Sequence, residues 1–469
     1  MINLKTTLLQ YQEEAVDKLY RLRIGALYME MGTGKTRTAL EIVHRRIKAG
    51  KLDGVIWLCP CSVKQNLRND LSKHADGWEQ FITICGIETL STSVGENVRL
   101  REMAKNETVM LIVDESNLVK NPNALRSEHI TTIAEMCRYR MILNGTPVSR
   151  NEADLFQQWF ILDWRVLGYK SYYSFAANHL EYDDKFTGKI RRVLHVDYLT
   201  DKIAPYTFQI KKSDVLKLPE KKYNIRYINL SQKQEEIYDG LEEKYLEMVD
   251  EMRPETIYKL FGVLQQCISG TEIIEKEDET PRITHKPIFQ DSKENPRIQE
   301  LLNIVDHLGE EKAIIFAKYT DEIYAICSAL GDRAVPFYGE LSQKRRNISI
   351  QEFREGRQFL VANKACGAYG LNLQFCHIII FYSNDWDYAT RQQAEDRVHR
   401  IGQSETVQIY DIITANTLDV RIQKCLDRKD GMAESFKRRI KDKKGAKEWL
   451  HGRESLSDDN GVGRNTEKA

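Results

Sequence analysis

The chain has no surplus of either charge. Lys plus Arg and Asp plus Glu both number 69 among 469 residues, so the formal net charge is zero. A protein that grips a polyanion with its whole surface carries a positive excess. Any nucleic-acid site here must therefore be a local groove. No apolar run approaches the ~20 residues that cross a bilayer. Met1 to Gln10 holds one lysine and no apolar core, which is not the pattern of a secretory signal. The expectation is a soluble, cytoplasmic protein, with a monomer as the default. Cysteine clusters are missing too. The nine cysteines are scattered, and neither a repeated CxxC nor Cys/His zinc spacing occurs. Reduced, mostly buried thiols are expected.

What is present is enough apolar residue for two cores. Hydrophobic residues make up 42% of the chain, and one core rarely grows past ~250–300 residues. Short apolar runs alternate with amphipathic stretches in the first third. Ile24–Met29, Val55–Leu58, Phe81–Cys85, Val109–Val113 and Arg140–Leu143 read as strands, and Arg37–Ala49 and Ser127–Cys137 read as helices. That rhythm predicts an α/β fold with a parallel sheet covered on both faces. Asn151 to Lys212 is aromatic-rich and looks helical, and Leu230–Val249 reads as a charged amphipathic helix. Thr271–Asn295 is polar and acidic and reads as a flexible link. The rhythm returns at Ala313–Phe316, Val335–Tyr338, Phe359–Asn363, His377–Phe381 and Val407–Asp411. The expected domains are 1–150, a first lobe; 151–292, a helical insert and linker; 293–430, a second lobe; and 431–469, a basic helix and polar tail.

Met31-Gly32-Thr33-Gly34-Lys35-Thr36 follows one strand and opens one helix. Glycines let backbone N–H groups close round phosphate oxygens, and a helix N-terminus adds positive potential. Gly32, Thr33 and Gly34 would form the cradle, Lys35 would reach the outer phosphates, and Thr36 would offer a hydroxyl to Mg²⁺. The first glycine of the usual phosphate-loop pattern is replaced by Met29. Val109–Val113 runs straight into Asp114-Glu115. Asp114 is the expected metal ligand, and Glu115 the group that orients and deprotonates water. Far downstream, Gln393–Gln403 is dense in polar groups. Arg397 and Arg400 stand three apart, so on a helix they would share a face and could grip one phosphate. They are candidates, with Gln393, for stabilising charge on a transferring phosphoryl group.

These elements, in this order, resemble the Swi/Snf-type ATPases of helicase superfamily 2, over roughly Leu8 to Arg428. Lys364–Leu373 looks like that family's fifth motif, Gln393–Gln403 its sixth, and Asn144-Gly145-Thr146-Pro147 its third. Leu9-Gln10-Tyr11-Gln12 looks like the adenine-reading segment, with Gln12 as the contact. Cys59–Val63 resembles a DNA-contacting motif, and Ile210–Lys212 with Leu218-Pro219 the end of the helical insert. The resemblance implies two RecA-like lobes, ATP and Mg²⁺ as cofactors, and duplex DNA as partner. It also implies translocation along one strand driven by ATP hydrolysis, acting on protein–DNA complexes or DNA structures. Asn117 stands where the family usually has histidine, Asn144 where threonine is frequent, and Leu67 where tryptophan is frequent. Two other readings stay open: an ATP-gated clamp with weak hydrolysis, and a motor on RNA or forked junctions.

Overall fold

The computed structural model describes residues 2–145, 148, 152–182, 190–247, 254–276, 282–363, 371, 373–428 and 443–451. Thr146, Pro147, most of the Lys364–Leu373 motif and the basic run up to residue 442 lie outside these described residues.

Two six-stranded sheets carry the fold, and every pairing in them is parallel. The first runs Thr207–Ile210, Ile24–Met29, Tyr139–Asn144, Val109–Asp114, Gly54–Cys59, Ile82–Gly86 across its width. Its central strands are near-continuous apolar runs because helices bury both faces. Successive side chains point to opposite faces. Tyr28, Ile56, Leu58, Leu111, Val113 and Ile142 join one core, which includes Leu100, Ile130, Ile133 and Trp159 from covering helices. Leu27, Met29, Val55, Trp57, Ile112 and Leu143 join the other, with Val16, Leu40, Val43 and Leu71.

The second sheet runs Lys221–Ile228, Val407–Thr414, Ile378–Phe381, Ala313–Ala317, Phe359–Asn363, Ala334–Phe337. A separate helical core is built on Gln232–Glu247, Pro254–Ile268, Leu418–Arg428 and Lys443–Leu450, with Tyr238, Phe261, Ile422 and Trp449 at its centre. Two parallel sheets wrapped in helices within one chain are a pair of RecA-like lobes.

Three features depart from the sequence reading. The flexible link expected at Thr271–Asn295 is structured: Thr271–Lys276 and Arg282–Pro287 pair as an antiparallel hairpin, and Ile288 and Asn295 behind it are buried. Its acids Glu272 and Glu275 flank apolar Ile273 and Ile274, and the hairpin ladder satisfies the backbone that a link would leave to water. The edge strands Thr207–Ile210 and Lys221–Ile228 were not anticipated, since they lie within segments read as insert. The chain divides into compact units at Leu218 and Pro219, with His399–Gly402 grouped into the first unit. Residues 151–292 are thus shared between the two units. Among the described residues, no helix is long and apolar enough to cross a membrane.

Candidate nucleotide site

In the first sheet, Tyr139–Asn144 lies between Ile24–Met29 and Val109–Asp114. The phosphate loop, Gly145 and the acidic pair therefore leave the sheet side by side at its C-terminal edge, where open α/β sheets collect ligands. Gly32 and Gly34 hold φ of +81° and +87°, and Gly34 caps the Lys35–Lys48 helix in the left-handed region. A Cβ at Gly34 would collide with the Gln12 amide. One at Gly32 would fall 2.7 Å from the Cβ of Arg400. Only glycine tolerates both the angle and the approach.

The loop is tied from several sides. Tyr11 Oη and Gln12 Nε2 both donate to the Thr33 carbonyl, at 2.9 and 3.0 Å. Thr33 Oγ1 donates to the Glu30 carbonyl at 2.7 Å. Lys35 Nζ donates to the Met29 carbonyl at 2.9 Å. This last contact accounts for Met29 in the glycine slot. Met29 closes its strand in a backbone that needs no positive φ, its side chain lies in the core, and its carbonyl serves the lysine. Thr36 is partly exposed in the first turn of the helix. Gly145 sits close beneath: a Cβ there would lie 3.4 Å from the Met31 amide nitrogen and 3.6 Å from Lys35 Nζ.

Asp114 accepts from the Glu115 amide at 2.9 Å. Burial, and then the charge of Glu115, push its carboxyl up to about 7 against the opposing pull of Lys35. Glu115 holds φ of +50°, unusual for a residue with a side chain. Asn144 and Ser116 behind it are fully buried and joined, Asn144 Nδ2 donating to Ser116 Oγ at 3.2 Å.

The arginine pair is corrected. The helix Tyr388–Glu395 ends before Arg397, in a turn, and Arg400, in a bend, so the shared helical face does not exist. The buried Asp396 and Arg397 follow the helix end, and the Arg397 carbonyl accepts from Leu373 N at 3.2 Å instead of continuing a helix. Arg400 groups with the first unit, against Gly32, whereas Arg397 and Gln393 belong to the second. Lys212 holds the first of these in place. Its amide donates to Glu30 Oε2 at 2.8 Å and its Nζ to the His399 carbonyl at 3.0 Å.

Sequence reasoning quoted Tyr11 and Lys212 only as members of motifs, and it missed Glu30 and Arg391. The last organises the second unit's polar segment. Its guanidinium meets Asp411 at 2.6 and 2.9 Å, Asn384 at 2.7 Å and Glu395 at 2.8 Å, over the Phe381 ring. The signal available was a lone arginine in the short helix that follows the strand Ile378–Phe381, too weak to single out.

Two RecA-like lobes, one with a phosphate loop beside an acidic pair, define a helicase-like nucleotide-driven core. Family profiles specify it further. Residues 71–273 match the SNF2-related domain, and residues 296–402 match the helicase conserved C-terminal domain. The chain is an SNF2-type, superfamily 2 helicase-like protein. It is 25% identical over 448 residues to an uncharacterized ATP-dependent helicase of Mycoplasma genitalium, covering 88% of this chain and 40% of that one. It is 23% identical to the uncharacterized ATP-dependent helicase YqhH of Bacillus subtilis, covering 90% and 78%. The chain thus spans about two fifths of the first relative's length. Among solved structures, the Sulfolobus solfataricus SWI2/SNF2 ATPase core in complex with dsDNA aligns over 95% of both chains, at 23% identity and a TM-score of 0.41.

Proposed function

We propose that this chain hydrolyses ATP in response to nucleic acid and moves along duplex DNA, acting on protein–DNA complexes or DNA structures. One arrangement carries the reading: Gly32–Thr36, Asp114 and Glu115 share one edge of one sheet, with Gly145 between them. The SNF2-related profile and the relatives named as ATP-dependent helicases support it.

The residues suit a nucleotide with its divalent ion. The two glycines leave a cradle that a Cβ would fill. Asp114 lies beside Glu115, with Lys35 as the cation acting on it. Mg²⁺, when bound, would add positive charge there and polarise the transferring phosphoryl group. Thr36 and Asp114 would hold the ion, and Lys35 the outer phosphates. Gln12 would read the base while bracing the loop through Thr33. Glu115 takes the proton of the attacking water. Arg400, grouped with the phosphate loop, would stabilise charge in the transition state.

Steady-state ATPase assays with duplex, single-stranded and forked DNA and with RNA test the proposal. Duplex DNA should stimulate most, and no stimulation by any nucleic acid would sink it. Displacement of a third strand from a triplex tests movement. ATP-dependent affinity without displacement would instead identify a clamp.

A further inference from the structure

The helical segment Leu155–Leu167, kinked at Asp163, begins as an apolar run interrupted by Gln157-Gln158. Gln158 is completely buried, as are Ser116 and Asn144. An amide in a core needs its donors and acceptor met. Gln158 Nε2 donates to the Asp154 carbonyl at 2.8 Å, which turns Oε1 toward Ser116 at 2.6 Å. A carbonyl oxygen can only accept, so the Ser116 hydroxyl must donate to it. The lone pairs of Ser116 Oγ then face Asn144 Nδ2 at 3.2 Å. Every bond in this chain has one direction, and Gln158 sets it. A second tie joins the same two segments: Lys120 Nζ meets Asp154 Oδ2 at 3.2 Å.

We propose that Gln158 is a positioning residue for hydrolysis, acting through Ser116 on the neighbouring Glu115. The inference rests on the ATPase reading above. Glu115 sits at φ +50°, a conformation that persists only when its surroundings hold it. Its amide is engaged by Asp114, its carbonyl accepts from Leu118 N at 3.0 Å, and the next residue is anchored by Gln158. The same hydroxyl grips Asn144, whose neighbour Gly145 packs under the phosphate loop. Releasing Ser116 lets the Glu115 carboxylate drift from the water it must activate, while leaving the loop that binds nucleotide intact.

The test compares the full chain with Gln158→Leu, Ser116→Ala, the double variant and Glu115→Gln. Each single variant should lower kcat between about 10- and 100-fold, the loss expected for a misplacement on the order of 1 Å. KM for ATP should stay within about twofold, and the double variant should be no slower than the worse single one. A purely structural role would instead lower the melting temperature and leave kcat per folded molecule unchanged, overturning the proposal. Should Gln158→Leu fail to fold, Ser116→Ala decides alone, since it removes one hydroxyl. Wild-type kcat in both variants beside a dead Glu115→Gln overturns the positioning role but keeps the ATPase reading. An inactive wild-type chain overturns both.

Discussion

Single side chains here do their work by direction and charge. Arg400 lies against Gly32, and its guanidinium is the proposed stabiliser of transition-state charge. Arg400→Ala should leave nucleotide affinity nearly unchanged and slow DNA-stimulated turnover by ~10³-fold or more, as loss of an arginine finger does. Parallel nucleotide-binding and turnover assays separate the two. Glu395 makes a different kind of prediction. Burial would raise its carboxyl, but Lys221 at 2.8 Å and Arg391 at 2.8 Å overcome this and hold it below the usual range. The native state therefore binds fewer protons than the unfolded chain near pH 4. Its contribution is complete above the unfolded value of about 4.3 and is lost as pH falls through the lower native one. Urea midpoints measured from pH 6 to pH 3 should fall less steeply in Glu395→Gln than in the parent chain. Parallel curves would remove Glu395 from the acid transition.

At the scale of elements, the helix Leu155–Leu167 locks the first sheet. Trp159 is fully buried, and its indole N–H donates to Tyr28 Oη at 2.9 Å on the strand Ile24–Met29. Trp159→Ala should cost ~3–5 kcal/mol, read as a lower urea midpoint for the first unit. The strands of both sheets were legible because buried parallel strands are continuous apolar runs. Thr207–Ile210 and Lys221–Ile228 were not. Tyr223, Ile225 and Tyr227 are exposed at the rim of the second sheet, so that strand lacks the buried run that marks a central one. The hairpin Thr271–Lys276 with Arg282–Pro287 was hidden by its acids.

For the whole molecule, zero net charge bears on how the proposed contact with DNA would be made. With no global field, affinity depends on a limited set of local phosphate contacts. The logarithm of the association constant should fall linearly with the logarithm of salt concentration, with a slope of roughly −0.9 per contacted phosphate. Titrations from about 50 to 200 mM salt measure it, and a flat line would contradict a phosphate-gripping groove. Each compact unit has a sheet of its own, so one all-or-none unfolding step is not required of the chain.

The sequence by itself determined the two α/β lobes, the phosphate loop and the acidic pair, because each is written in a contiguous stretch whose period or spacing is local. Its charge balance also implies that any nucleic-acid site is a local one. Tertiary structure alone decided the rest. It showed why Met29 can replace glycine, because only the folded loop reveals that Lys35 uses a backbone carbonyl there. It ended the helix before Arg397 and Arg400 and grouped Arg400 with residues nearly the whole chain away. It joined Asn144, Ser116 and Gln158, three polar residues from three separate segments. Local patterns report on neighbours in the chain, whereas the direction of a buried hydrogen bond depends on which segments the fold brings together.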